Sequence, residues 1–394
     1  MSVAFCESLC LPEFPELKMS NNPIQLTLMI GPAVPVPVTQ DVLDALISVQ
    51  VTTSSGAASG FQLQFTINNR SPLQTLFLLT AGNPVPLMRV IIVVTINGTA
   101  NVLMDGVMTH HELSPGADPG HSTLTVTGKD LTQVMNYIDF SGVPYPAMSN
   151  EMRVLLILSK YAMLGILPEV ISSVLVDIPI PTEQIPRQKG KDLAYIQSLA
   201  DEVGYVFYLD PGPLPGVSVA YWGPEIKVGV PQPALNINMD AYTNVESLNF
   251  RFNSDLRSLP VVYIQDPETK AMVSMPVPDI TPLNPPLGLI PPIPKNIDPI
   301  TDTAKYSPLR AAMIGMAEAS RSADGVSGTG ALDVLRYGRA LKARSLVGVR
   351  GAGAAFDGLY YVNSVTHKIK RGEYKQDFTL GRNGLLSTVP TVPV

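Results

Sequence analysis

Histidines, cysteines and neighbouring carboxylates are the residues of this chain that could do catalytic or metal chemistry, and their spacing works against it. His110, His111 and Glu112 are consecutive in what reads as a loop, with His121 nearby. Adjacent side chains of extended backbone point to opposite sides, so they cannot easily share one ion. They read as surface or turn residues, and no metal site is expected. His367 stands isolated in a strand beside Lys368, where a packed or interfacial role is expected rather than that of a general base. Cys6 and Cys10 are the two cysteines. They are too few for a disulfide framework or a zinc site, and they suit folding in a reducing cytoplasm. Asp201-Glu202 follows a solvent-facing helical stretch and needs no catalytic role. Gly216-Val217-Ser218-Val219-Ala220 lacks the second glycine of a nucleophile elbow.

Two glycine-rich stretches fail the same test. Gly325-Val326-Ser327-Gly328-Thr329-Gly330 follows a helical pattern, not a strand, and lacks a closing Gly-Lys-Ser/Thr. It is neither a dinucleotide fingerprint nor a P-loop, and reads as a flexible joint. Gly348–Gly358 reads as a hairpin loop whose glycines supply backbone freedom. No cofactor and no enzymatic activity are expected.

With chemistry set aside, composition points to assembly. Of 394 residues, 45% are hydrophobic and 15% charged, well below the roughly 25% charged residues of an average soluble domain. Apolar surface must be covered, and burial between subunits does so most simply. The net charge of −6 predicts no general attraction to nucleic acid or anionic membrane. Ala331–Leu385, however, holds ten Lys or Arg against four acids, a local +6 that leaves −12 elsewhere. That cluster reads as a solvated face, as a docking surface for an acidic partner, or as a nucleic-acid contact. Arg336, Arg339 and Lys342 are the candidate docking residues. The N-terminus has an early acid and no basic region, so it is not read as a secretory signal. The apolar run Val154–Val176 is broken by Lys160, Pro168 and Glu169, so no membrane span is expected.

The elements follow from periodicity. Residues to about Gln40 read as an arm broken by Pro32, Pro35 and Pro37. Ile47, Val49 and Val51 then alternate with Ser48, Gln50 and Thr52, and Phe61, Leu63, Phe65 and Ile67 with Gln62, Gln64 and Thr66. This is the pattern of an antiparallel sheet with one wet side, here uncharged. Val90–Ile96, the turn Asn97-Gly98, Val102–Met104 and Ser122–Thr127 extend it, and Asp130 is placed to cap a short helix. Met152–Val176 reads as helix. Met275–Asp298 holds eight prolines and reads as an extended connector. Tyr306–Ser322 and Ala331–Ser345 read as helices, the latter amphipathic. Strands are also predicted at Val245–Phe252, Leu259–Ile264, Leu346–Arg350, Leu359–Ile369 and Tyr374–Leu380.

Two motifs carry a resemblance. In Lys189–Asp210, KGKDLAYIQSLADEVGYVFYLD, Asp192 caps a helix with Leu193, Ile196, Leu199, Ala200 and Val203 on one face. Gly204 stops it, and an aromatic strand follows. In Asp357–Leu385 a hairpin turns at Lys370-Arg371-Gly372-Glu373, with Tyr374, Phe378 and Leu380 alternating against Lys375, Asp377 and Thr379. Both segments, in this order, resemble the baseplate hub proteins of contractile phage tails and related injection systems, which include phage late control protein D and the hub half of VgrG spike proteins.

The resemblance implies an α+β, β-rich fold with two tube-like antiparallel β-barrel domains, an α+β insert and a proline-rich connector. The boundaries are an arm at 1–40, a first barrel at 41–143 and an insert at 144–235. A second barrel is expected from 236–275 with 331–386, a connector and helix at 276–330, and a tail at 387–394. It further implies a homotrimeric ring adapting a six-fold inner tube to a three-fold spike. Partners would be a tube or tube-initiator protein and baseplate components, with cargo or DNA passing through the lumen. Because the sequence departs from the fused members in ending at LSTVPTVPV after Leu385, the spike is expected as a separate protein. Gln62, Gln64 and Thr66 are the candidate lumen-facing residues. The product would be made in the cytoplasm and built into a phage tail or injection particle. The competing reading is a stand-alone protein- or carbohydrate-binding adhesin, which would show an aromatic-lined groove.

Overall fold

The computed structural model describes residues 24–32, 34–67, 87–116, 122–173, 178–182, 185–255, 258–265, 272–276, 285–293, 295–300, 311, 314–316, 318, 324–389 and 392. Cys6, Cys10 and His121 lie outside them, as does most of the helix expected over 306–322. No helix among the described residues is long and apolar enough to cross a membrane.

The first β segment comprises β1 (Ile24–Pro32), β2 (Val36–Pro37), β3 (Leu46–Ser54), β4 (Gly60–Ile67), β5 (Met88–Ile96), β6 (Thr99–Pro115) and β7 (Ser122–Asp130). Phe61, Leu63, Phe65 and Ile67 are buried, while Gln62, Gln64 and Thr66 point to the wet side, as period-two alternation requires. On β3 a bulge between Leu46 and Ser48 shifts the register. Leu46 therefore faces the core, and Ile47, expected on the apolar face, is 42% exposed. The tight β5–β6 turn forms at Asn97-Gly98, both at positive φ (48° and 81°), as a type I′ turn demands. The expected arm is not wholly separate: β1 pairs along its full length with β5. His110 and His111 lie in β6 and not in a loop, because β6 continues to Pro115 against β7.

The insert follows. The Asp130 carboxylate accepts from Thr132 N at 3.1 Å and starts a 3-10 turn at Leu131–Asn136. The Asn150–Ser159 helix begins at Ser149, whose side chain accepts from Met152 N. It is shorter than the helix expected over 152–176. Gly165, in the left-handed region at φ 77°, closes the turn after it, and β8 (Ile166–Val170) follows. The Asp192–Val203 helix ends at Gly204 (φ 71°) as expected. Asp192 does not cap it: Lys191 holds that position, and the buried Asp192 side chain instead binds Lys160 Nζ at 3.1 Å. It also accepts from Tyr161 Oη at 2.8 Å. β9 (Val206–Pro211) and β10 (Ser218–Gly223) complete a three-stranded sheet in the order β8-β10-β9. Val154, Ile157, Leu158, Ile196, Leu199 and Trp222 form its core.

The rest of the chain adds β11 (Gln232–Asn236), β12 (Val245–Phe252), β13 (Ser258–Gln265), β14 (Met272–Pro276), β15 (Gly288–Ile290), β16 (Asn296–Ile300), β17 (Val326–Asp333), β18 (Leu346–Arg350), β19 (Gly358–Lys370), β20 (Glu373–Arg382) and β21 (Leu385–Ser387). β13, β14 and β16 make a small sheet in the order β14-β13-β16. The segment expected as a flexible joint is strand β17, paired with both β12 and β20. Its glycines serve close packing: a Cβ on Gly330 would stand 2.6 Å from Phe378 Cζ, and one on Gly328 2.9 Å from Phe250 Cε1. The amphipathic helix expected over 331–345 is one turn, Val334–Tyr337. It is capped by Asp333 and stopped by Gly338 at φ 86°.

Strands from the two ends of the chain share one sheet. β19 pairs antiparallel with β3 from Ser364↔Ser54 to Lys370↔Ser48, giving the order β12-β17-β20-β19-β3-β4-β7-β6-β5-β1-β2, with β11 and β18 attached beside β19. A single core runs beneath it, from Leu28 and Phe65 to Tyr360, Phe378 and Leu380. The fold is α+β and β-rich. Among the described residues the outer strands β12 and β2 do not pair to close a barrel.

Candidate functional site

The solvent face of this sheet is a continuous surface of mainly polar character, and the strand registers build it. Asn249, Thr329, Thr379 and Ser364 stand opposite one another across β12, β17, β20 and β19. Asp377, Thr366 and Thr52 continue on the next level. Below them lie Lys375, Lys368, Gln50, Gln62, Thr127 and His110, then Ser48, Gln64, Thr125 and Glu112. Thr66 pairs with Thr123, which pairs in turn with Ser114. Eight consecutive strands thus present mainly Ser, Thr, Gln and Asn, because each ladder keeps outward residues opposite outward residues.

These side chains tie to one another across strands. Ser48 Oγ donates to Gln64 Oε1 at 2.9 Å. The Thr52 and Thr366 hydroxyls lie 3.0 Å apart, and those of Ser364 and Thr379 2.7 Å. The charges on this face are largely compensated within the chain. Lys368 pairs with Asp377, and Lys375 with Glu246 at 2.8 Å and Glu373 at 3.3 Å. Ser247, Asn249, Thr329, Ser364, Thr366 and Asp377 line a shallow open depression on it. The arrangement offers mainly short neutral hydrogen-bonding groups, with its lysines paired to carboxylates of the same chain.

The basic cluster of 331–385 divides in two. Arg344, its side chain 4% exposed, reaches Asp210 at 3.3 Å. It donates to Ser54 O at 2.7 Å and stacks on the Tyr208 ring at 3.8 Å. Arg382 is buried beneath the Tyr360 ring and donates to the carbonyls of Asp357 and Ala355. Arg371 pairs with Asp44. Arg344 and Arg382 staple the fold, whereas the Arg371 pair is exposed. Arg336, Arg339 and Lys342 are exposed on the link between β17 and β18, with no ion-pair partner among the described residues.

The other sequence candidates scatter. His367 is buried, its Nδ1 2.7 Å from Tyr374 Oη, and burial pushes it down to about 4. Ser218 is buried, with its Oγ 3.4 Å from Asp105. Glu202 accepts from Asn150 Nδ2 at 3.5 Å. Among the described residues no three His, Cys, Asp or Glu converge as metal ligands. Trp222, the single tryptophan, is fully buried against Tyr205, so it lines no exposed groove. Two features escaped the sequence reading. One is the bidentate Arg89–Asp105 pair, at 2.8 and 2.7 Å, between the sheet and the insert. The other is a buried Lys227 held between Glu225 and Asp324.

No family model matches the sequence, and no curated protein matches it. Solved structures do. A tail protein from Neisseria meningitidis aligns with a TM-score of 0.63 at 11% identity, covering 93% of this chain and 98% of that one. The 43 kDa tail protein of prophage MuSo2 from Shewanella oneidensis aligns at 0.60 and 16% identity, covering 91% and 98%. The E. coli c3393 protein is a type VI secretion system component with structural similarity to the T4 bacteriophage tail proteins gp27 and gp5. It aligns at 0.50 and 12% identity, covering 89% and 78%. The chain therefore has the fold of these phage tail and secretion-system proteins.

Proposed function

We propose that this chain is the structural hub of a contractile tail or injection-system baseplate. Three copies form a ring that joins a six-fold inner tube to a three-fold spike, both separate proteins, within a larger baseplate. One observation carries the reading: a neutral hydrophilic face, continuous over eight strands drawn from both ends of the chain, in a fold shared with tail proteins. A surface rich in short hydroxyl and amide side chains, its lysines Lys368 and Lys375 paired with neighbouring carboxylates, stays hydrated and offers passing protein or nucleic acid little uncompensated charge to adhere to. Gln62, Gln64 and Thr66 lie on that face and are assigned to the lumen. Arg336, Arg339 and Lys342 project elsewhere on one link and are assigned to an acidic neighbour in the tube, spike or baseplate.

The lumen assignment is tested with Gln62→Lys/Gln64→Lys in the assembled particle. Both positions are solvent-facing, so folding and assembly should be retained while passage of cargo or DNA falls. Unimpaired delivery by fully assembled variant particles would refute the assignment.

A further inference from the structure

Outside the sheet face, one cluster brings together a nucleophile, an electrophile and a proton carrier. Glu225 and Lys227 lie on the segment leaving β10, and Asp324 lies just ahead of β17. Lys227 Nζ is 3.2 Å from Asp324 Oδ1 and 3.5 Å from Glu225 Oε2, and its side chain is only 5% exposed. The Tyr361 ring stands 5.6 Å from Nζ, and Tyr361 is itself buried. Asp324 Oδ2 and the Asn363 amide crowd the same spot over Gly381, within 3 Å of where a Cβ would be. One lysine can neutralise only one of the two carboxylates. Burial pushes the Glu225 carboxyl up, favouring its protonated form.

We propose that Lys227 and Asp324 condense into an intramolecular isopeptide bond, with Glu225 relaying the protons. The reactants are the Lys227 ammonium, the Asp324 carboxylate and the Glu225 carboxylic acid. Against the effect of burial, the two carboxylates hold the Lys227 ammonium above its usual range, so the first step is the uphill one: a proton passes from Nζ to the Asp324 carboxyl, leaving a neutral amine beside a neutral acid. The amine lone pair attacks Cγ of Asp324 while the Glu225 proton supports the developing oxyanion. The C–N bond forms, the C–O bond breaks and one water leaves. The last nitrogen proton returns to Glu225, so that side chain is unchanged. No oxidant or other reagent is needed. Nζ lies 3.2 Å from Asp324 Oδ1, beside the carbon it must reach, and a neutral amide removes the charge of a lysine side chain that is only 5% exposed. The bond would link residues 97 apart in sequence. Pulling force on the insert would then pass directly to β17, bypassing the proline-rich connector.

The test is intact mass of the folded full-length chain, followed by proteolysis and fragmentation. Wild type is expected one water lighter than its sequence, with a branched peptide joining Lys227 to Asp324. Lys227→Arg and Asp324→Ala should show the full mass, and Glu225→Gln should remain folded and uncrosslinked. Lys227→Arg preserves the cation, so its mass is read on a folded chain. A wild-type chain at full sequence mass overturns the proposal. So does a water loss that persists in Lys227→Arg, which would place the dehydration elsewhere, as in a succinimide at Asp324-Gly325. A bond retained in Glu225→Gln overturns the role given to Glu225.

Discussion

Replacing Arg89 with methionine should loosen the insert from the sheet more than any surface change. The Arg89 guanidinium meets Asp105 in two parallel hydrogen bonds of 2.8 and 2.7 Å, with side-chain exposures of 7% and 0%. It also donates to Leu164 O at 2.9 Å and Gly216 O at 3.0 Å, both in the insert. Methionine fills similar volume but leaves Asp105 as a buried carboxylate without its counter-charge. Breaking such a pair from one side costs about 3–5 kcal/mol, and the two carbonyls that lose a donor push the result to the upper end. Arg89→Met/Asp105→Leu removes both charges and should recover all but about 1–2 kcal/mol, because a buried pair contributes little net against apolar residues. Urea denaturation of the single and double variants measures the cycle. Amide exchange at 164–166 and 216–218 should rise in both variants, because both lose the Arg89 donor, and more in the single variant. A loss below about 1 kcal/mol in Arg89→Met, or a double variant as unstable as the sum of its parts, would refute the reasoning.

Three further outcomes follow from named residues. Burial holds the folded His367 at about 4 against an ordinary 6.5, so between these values the unfolded chain takes up a proton that the folded chain refuses. Stability should fall as pH drops from 6.5 towards 4, by up to about 3 kcal/mol, with no further loss from this group below 4. His367→Gln should flatten that part of the stability profile, and an unchanged profile would contradict the assignment. Trp222 fluorescence should be blue-shifted and shielded from acrylamide until the insert unfolds; red-shifted, freely quenched emission from the folded chain would contradict its burial. Arg336→Glu/Arg339→Glu/Lys342→Glu should leave the melting temperature within a few degrees, since all three are exposed. The same variant should weaken binding to a tube, spike or baseplate protein by tenfold or more at low salt, and unchanged binding would remove these residues from the interface.

Much of the fold is legible because one face of each strand must be buried. The alternation over 61–67 and 374–380, the turn at Asn97-Gly98 and the helix stop at Gly204 are local consequences of that need and of backbone sterics. What was not legible depends on distant partners. Thr52 and Thr366 hydrogen-bond across 314 residues of sequence, and nothing in either strand announces the pairing that joins both β segments. The polar face was readable on β3 and β4, but its extension over eight strands exists only through register. β17 misled because glycines that look flexible alone are required beneath Phe250 and Phe378. The basic cluster misled for a related reason. Arg344 and Arg382 look like surface charge in sequence, yet aromatic rings and carbonyls supplied from elsewhere bury them.

The proposed hub is tested most directly by the mass and shape of the assembled species. The purified chain, mixed with tube and spike proteins of the same system, is measured by mass photometry and imaged by electron microscopy. Three copies of the 42.3 kDa chain in a ring with an open centre, bound to both partners, is the predicted result. A chain that stays monomeric, or that binds neither partner, would contradict the account.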